Sequence, residues 1–205
     1  MSLVIENMIK NFVIGSSMNL IQSTNQYDEE KLEEIKYGLE GIYLAISKVV
    51  VILLLSALLG LFKEAILFML VFNVLRGTAF GLHASKSIWC WISSSISFLL
   101  IPFVCKNFDL PNLFYIISSI ACLISFILYA PADTVKRPLI NAKKRKIFKV
   151  ASVISAIIYI TLIFTLNNML FKNLLIFALI LQSILILPIT YKIFKLPYNN
   201  YLNYK

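Results

Sequence analysis

Long apolar runs rule out most folds for this chain. Residues 42–62, 65–82, 87–105, 111–131, 150–166 and 173–191 each approach or exceed the roughly 17 to 25 residues that a helix needs to cross bilayer hydrocarbon. Lipid offers no hydrogen bonds, so a lipid-facing run must satisfy its own backbone, and a helix does this within one segment. Composition agrees: 60% of the 205 residues are hydrophobic and 14% are charged, against about 25% charged in a soluble domain. The expected fold is an all-α integral membrane protein of about six transmembrane helices, preceded by amphipathic surface helices, with a turn between spans two and three.

Two segments with helical periodicity precede the first span. In the second, Leu32, Ile35, Leu39 and Ile42 share one face while Glu33, Glu34, Lys36 and Glu40 point away, which suits a helix lying on the membrane. Residues 1–41 are therefore expected to form an amphipathic cytoplasmic or interfacial segment, and residues 42–205 a six-span membrane domain. The start does not read as a cleavable signal peptide, because Glu6, Asn7, Lys10 and Asn11 interrupt its apolar stretch and no basic leader precedes it. The acids of "DEEKLEE" read as the solvated face of the surface helix.

Orientation follows from Lys and Arg in short loops. Residues 133–149, "DTVKRPLINAKKRKIFK", carry seven basic side chains and one acid between spans four and five, which marks that loop as cytoplasmic. Threading outward from it puts both termini inside and brings the connection between spans two and three to the cytoplasmic side. The net charge of +9 is thus a topology signal, and no nucleic-acid motif accompanies it. The run Lys143, Lys144, Arg145 and Lys146 fits anionic lipid; attraction of an acidic substrate tail is the sharper alternative.

Against this background, "RGTAFGLHASKSIWC", residues 76–90, is unusual in gathering an arginine, a histidine and a cysteine. A charge such as Arg76 costs about 2.5 to 3.5 kcal/mol at the bilayer centre on insertion scales. It either snorkels to lipid phosphate or serves as a fixed charge in a polar cavity, gripping a substrate carboxylate or a backbone carbonyl or lowering a thiol pKa. His83 and Cys90 are seven residues apart, about 10.5 Å along an unbroken helix, so they cooperate only if the backbone turns between them. Gly81, Ser85, Lys86 and Ser87 supply the residues for such a turn, with His83 near the end of one helix and Cys90 in the first turns of the next. A helix start also favours a thiolate at Cys90. Cys105 and Cys122 have no basic neighbour and read as small buried hydrophobes. Three scattered cysteines and one histidine make neither a disulfide framework nor a metal centre.

The pattern R-x4-G-x-H-x6-C, met by Arg76, Gly81, His83 and Cys90, resembles that of the accessory gene regulator protein B (AgrB) family of bacterial quorum-sensing membrane endopeptidases. "YAPADTVKRPL", residues 129–139, resembles the family's segment after the fourth span. Phe80 stands where a second small residue is expected. The resemblance implies a cysteine endopeptidase of the bacterial cell membrane that cuts a small membrane-associated propeptide on its C-terminal side and promotes closure of a thiolactone or lactone. Cys90 is then the nucleophile and His83 its general base, Arg76 and Gly81 support the site, and Lys136, Arg137 and Lys86 are candidates for substrate binding. No metal or other cofactor is implied, and a homodimer fits the family. A peptide transporter with Arg76 as a midway binding charge is the competing reading. Asp133 could orient His83, cap a helix end, or pair with Lys136.

Overall fold

The computed structural model describes residues 2–24, 27–82, 87–134 and 138–204, with side chains described from residue 10 onward and, after the break at 83–86, from residue 91. His83, Lys86, Lys136 and Arg137 lie outside the described residues, and Cys90 is described by its backbone alone. The helices are α1 (Ser2–Thr24), α2 (Glu29–Leu58), α3 (Phe62–Ala79), α4 (Ser87–Asn107), α5 (Asn112–Tyr129), α6 (Ala142–Thr165), α7 (Met169–Ile186) and α8 (Pro188–Ile193), followed by a 3-10 turn at Asn200–Tyr204. The chain divides into two compact units, residues 1–54 and 55–205.

In the first unit, Lys10 of α1 pairs with Glu40 of α2 at 3.2 Å. The Asp28 carboxylate accepts from the Lys31 N–H at 3.0 Å, and Glu29 and Glu30 follow in the first turn of α2, where acids complement the helix dipole. The expected surface helix and the first apolar run are not separate elements. They form one helix of 30 residues, because the stretch holds no proline and its two glycines weaken a helix without ending it. What ends α2 is Gly60 in the left-handed region, φ 65°. There the Leu61 N–H donates to Ser56 O at 2.7 Å and the Gly60 N–H to Ala57 O at 3.1 Å, the paired closure that glycine permits at a helix C-terminus.

The second unit is organised around α7, which packs against α3, α4, α5 and α6. Leu174, Leu175, Ile176, Ala178, Leu179 and Ile186 of α7 are buried, and so are its polar residues Asn173, Gln182 and Ser183. By contrast α5 exposes Ile116, Ile117, Ile120, Ile124 and Leu128, an apolar face suited to lipid. Helices in lipid gain little from apolar burial against one another and associate through close packing and hydrogen bonds. One such bond runs from side chain to backbone: the Tyr159 hydroxyl of α6 donates to Val71 O of α3 at 2.8 Å.

Every apolar run of the sequence lies largely within a helix. Among the described residues, four helices are long and apolar enough to cross a membrane: α2, α5, α6 and α7. The chain is a helical membrane protein, and α3, with Lys63, Glu64 and Arg76, is the most charged of the helices built on those runs after α2 and α6.

Candidate active site

α3 ends at Ala79 and α4 begins at Ser87, and the two helices run antiparallel. Phe68 and Phe72 of α3 meet the Phe98 ring of α4 edge-on at 5.6 and 5.7 Å. At the far end Lys106 of α4 pairs with Glu64 of α3 at 3.1 Å and donates to Gly60 O at 2.7 Å. Residues 76–90 therefore do not form one straight helix. Cys90 has its backbone in the first turn of α4.

Two backbone features start the reversal. Phe80 has φ 57° and Gly81 has φ 102°, both outside the region L-residues prefer. At Gly81 a Cβ atom would stand 2.8 Å from Arg76 Nη1 and 2.8 Å from Leu185 O, so both conformation and space require glycine. At Phe80 the left-handed φ costs a non-glycine residue about 1–3 kcal/mol. This is the place where a small residue was expected, and the ring instead packs edge-on against Phe148 of α6, centroids 4.8 Å apart.

Arg76 holds the strained segment. From the last turn of α3 its Nη1 donates to Phe80 O and its Nη2 to Leu82 O, both at 2.6 Å. The planar fork suits two carbonyls presented side by side. Of the readings open for this residue in the sequence, a grip on backbone carbonyls is seen among the described residues. Phe80 O accepts a second bond, from Gln182 Nε2 of α7 at 2.8 Å.

The neighbouring backbone is also bound. The Gly81 N–H donates to Ala132 O at 2.7 Å and the Ala132 N–H to Ala79 O at 3.0 Å, while the Leu82 N–H donates to Leu185 O at 2.8 Å. Proline explains why α7 has carbonyls to offer. Pro188 has no N–H, so Ile184 O lacks its helical donor and takes the Thr190 hydroxyl at 2.5 Å instead. The helix stops at Ile186, which leaves Leu185 O open to Leu82.

Residues 130–134 thus lie beneath the reversal. Asp133 is 2% exposed, and its carboxylate accepts from the N–H groups of Asn200 at 2.9 Å, Tyr201 at 2.8 Å and Leu139 at 3.3 Å. Of the three roles considered for Asp133, capping is seen, at the start of the 3-10 turn; the other two involve His83 and Lys136, which lie outside the described residues. The Tyr191 hydroxyl donates to Asp133 O at 3.0 Å. Burial, then the neighbouring Tyr129, Tyr201 and Asp133, pushes the Tyr198 phenol up to about 12, so it stays a neutral donor near pH 7.

Cys105 and Cys122 are buried free thiols, as their apolar surroundings predicted. Among the described residues no group of His, Cys, Asp and Glu could hold a metal ion. Arg76 and Gly81 stood out in the sequence, and capping was among the roles open to Asp133, whereas Gln182 and Tyr191 were not singled out. A lone glutamine in an apolar run was the only available signal for the first of these.

The sequence model of the family described as Accessory gene regulator B matches residues 15–186. The chain is 34% identical over 175 residues to the "Putative AgrB-like protein" of Clostridium acetobutylicum, covering 85% of this chain and 84% of that protein. It is 33% identical over 178 residues to the protein of that name from Listeria monocytogenes, 87% of each. It is 31% identical over 170 residues to "Accessory gene regulator protein B" of Staphylococcus aureus, 82% of this chain and 88% of that protein. No solved structure matches the chain. With a family match that covers residues 76–90 and most of the remaining chain, this membrane protein belongs to the accessory gene regulator B family.

Proposed function

We propose that the protein is a membrane cysteine endopeptidase that processes a small autoinducer propeptide in quorum sensing, with Cys90 as nucleophile and His83 as general base. The observation that carries this reading is the reversal between α3 and α4, fixed by Arg76, Gln182 and Leu185. It supports a Cys–His pair, which needs the backbone to turn between residues 83 and 90.

His83 takes the Cys90 thiol proton, and the thiolate attacks the scissile carbonyl to form a tetrahedral oxyanion. As the C–N bond breaks, His83 returns the proton to the leaving amine, and the N-terminal part of the propeptide remains as a thioester on Cys90. A thiol or hydroxyl within that bound peptide then attacks the thioester. The ring closes as a thiolactone or lactone and Cys90 is released. Thioester exchange is close to isoenergetic, so closure depends on positioning, which supplies roughly 7 to 11 kcal/mol of barrier lowering in well-oriented systems. Water has to be kept out during this interval, because hydrolysis would drain the thioester. A pocket at the level of the membrane surface serves that need and suits a substrate whose amphipathic leader lies on the same surface.

In this reading Lys86, Lys136 and Arg137 handle the substrate, the protein spans the bacterial cell membrane several times with both termini and the site on the cytoplasmic side, and two copies associate as a homodimer. The test is purified protein in liposomes with a candidate propeptide. The expected result is a shortened product and an acyl adduct on Cys90 by intact mass. Cys90→Ser and His83→Ala abolish product formation, whereas Cys105→Ala and Cys122→Ala leave it in place. Peptide transported uncut, or full activity of Cys90→Ser, would overturn the assignment.

A further inference from the structure

The basic run that starts α6 lines a cavity of about 570 Å³ between the end of α5 and the start of α6. Its walls hold three cations, Arg145, Lys146 and Lys149, and three phenols, Tyr129, Tyr198 and Tyr201. Two of the cations are fixed in place. Arg145 Nη1 donates to Leu139 O at 3.2 Å, and its guanidinium lies over the Tyr201 ring at 3.9 Å. Lys149 Nζ donates to Ile127 O in the last turn of α5. The reason is chemical: the residue four positions after Ile127 is Pro131, which has no N–H, so this carbonyl lacks a helical donor and the ammonium supplies one. An ammonium has three donors and a guanidinium five, so these contacts aim the two groups without exhausting them.

The apolar side of the cavity is as informative as the charge. Leu128, Ala130 and Pro131 form part of its wall. Ile124 of α5, one turn before Leu128, and Val150 of α6, one turn after Lys146, are each about half exposed. A ligand that satisfied the whole surface would be amphiphilic, with an anionic head among the cations and an apolar tail along the two helices. An acidic peptide uses only the first half of that surface.

We propose that this cavity binds the phosphate of an anionic glycerophospholipid through Arg145, Lys146 and Lys149, with its acyl chains along Ile124 and Val150. Tyr198 is a neutral phenol in the wall and donates to phosphate rather than repelling it. The site is distinct from residues 76–90, and the proposal does not depend on the peptidase reading.

The test is native mass spectrometry of the purified full-length chain, titrated with dioleoyl phosphatidylglycerol and with the phosphatidylcholine of the same chains. Retention of the anionic lipid is expected to exceed that of the zwitterion by about tenfold, in line with the worth of one or two basic residues at an anionic surface. K146Q/K149M removes the preference, whereas K143Q/K144Q, in the same run but outside the cavity wall, keeps it. Equal loss in both variants would reduce the effect to general surface charge and overturn the site. Equal competition by glycerol 3-phosphate or inorganic phosphate would make it a site for free phosphate. Displacement by an acidic peptide with no lipid preference would make it a peptide site. Should K146Q/K149M fail to fold, a photoreactive phosphatidylglycerol on the unaltered protein decides: adducts at residues 124–131 and 142–150 support the proposal, and adducts confined elsewhere overturn it.

Discussion

Both ends of the α7 helix carry a buried amide that binds backbone carbonyls of other segments, yet the two ends are built to different standards. At the start of α7, Asn173 Nδ2 donates to Cys105 O at 3.1 Å and Phe108 O at 3.0 Å, while its Oδ1 accepts from the Tyr115 hydroxyl. Every polar atom of that side chain is used. At the other end Gln182 Nε2 shares Phe80 O with Arg76, and Gln182 Oε1 has no hydrogen-bond partner among the described residues. There the backbone adopts left-handed φ at Phe80 and Gly81. The first end is a satisfied lock that closes α4 against α7. The second is a strained frame whose cost the surrounding bonds sustain, and such strain concentrates at functional sites. The contrast teaches that two buried amides of one helix can differ in how completely they are satisfied, and it makes the Gln182 end, beside the strained backbone, the one to test for function.

The largest expected effect comes from Gly81→Ala. The added Cβ meets Arg76 Nη1 and Leu185 O at 2.8 Å in a conformation that alanine disfavours, so the turn must move. Processing in liposomes is expected to fall by about 100-fold, corresponding to the roughly 1–3 kcal/mol of such strain at a site that tolerates little displacement. The thermal melt should fall far less than the rate. An equal fall in both would mean the frame only holds the fold together.

Next is Arg76→Lys, which keeps the charge and removes the fork. An ammonium reaches one of the carbonyls of Phe80 and Leu82 well, not both in one plane. The expected outcome is about a tenfold loss of kcat with little change in KM, read from propeptide cleavage, consistent with the worth of one charged hydrogen bond. A wild-type rate would show that charge alone matters and would favour the snorkelling account of this residue.

Some of this arrangement could be read from the sequence because its signals are local. Helical runs announce themselves by length and apolarity, and an arginine next to Gly81 and His83 stands out because lipid makes every charge conspicuous. The continuity of α2 was not legible because amphipathic and apolar stretches share a helical period, and it is Gly60 that terminates them. The frame itself stayed hidden for a different reason: Gln182 meets Phe80 across 102 positions and Asp133 meets Asn200 across 67, and nothing in one sequence registers partners at such separations. Pro131 and Pro188 were visible, but which donors replace their missing N–H groups depends on packing.

The comparison between the two amides is sharpest when both are replaced. Asn173→Leu strands two carbonyls and a phenol in the core, and interhelical bonds of this kind in membranes are worth up to about 1.7 kcal/mol each. The variant should lose stability by about 1–2 kcal/mol in detergent unfolding and, per folded molecule, keep its rate of propeptide processing. Gln182→Leu removes an unsatisfied oxygen together with one of two donors to Phe80 O, a carbonyl that Arg76 still holds. Its stability should change by less than about 0.5 kcal/mol, since the lost bond and the removed orphan offset each other. Its kcat should fall about threefold, because the carbonyl beside the strained φ is then gripped from one side only. Should Gln182→Leu instead destabilise the fold as much as Asn173→Leu while leaving kcat alone, the two ends of α7 would be equivalent locks and the orphaned oxygen would carry no information about function.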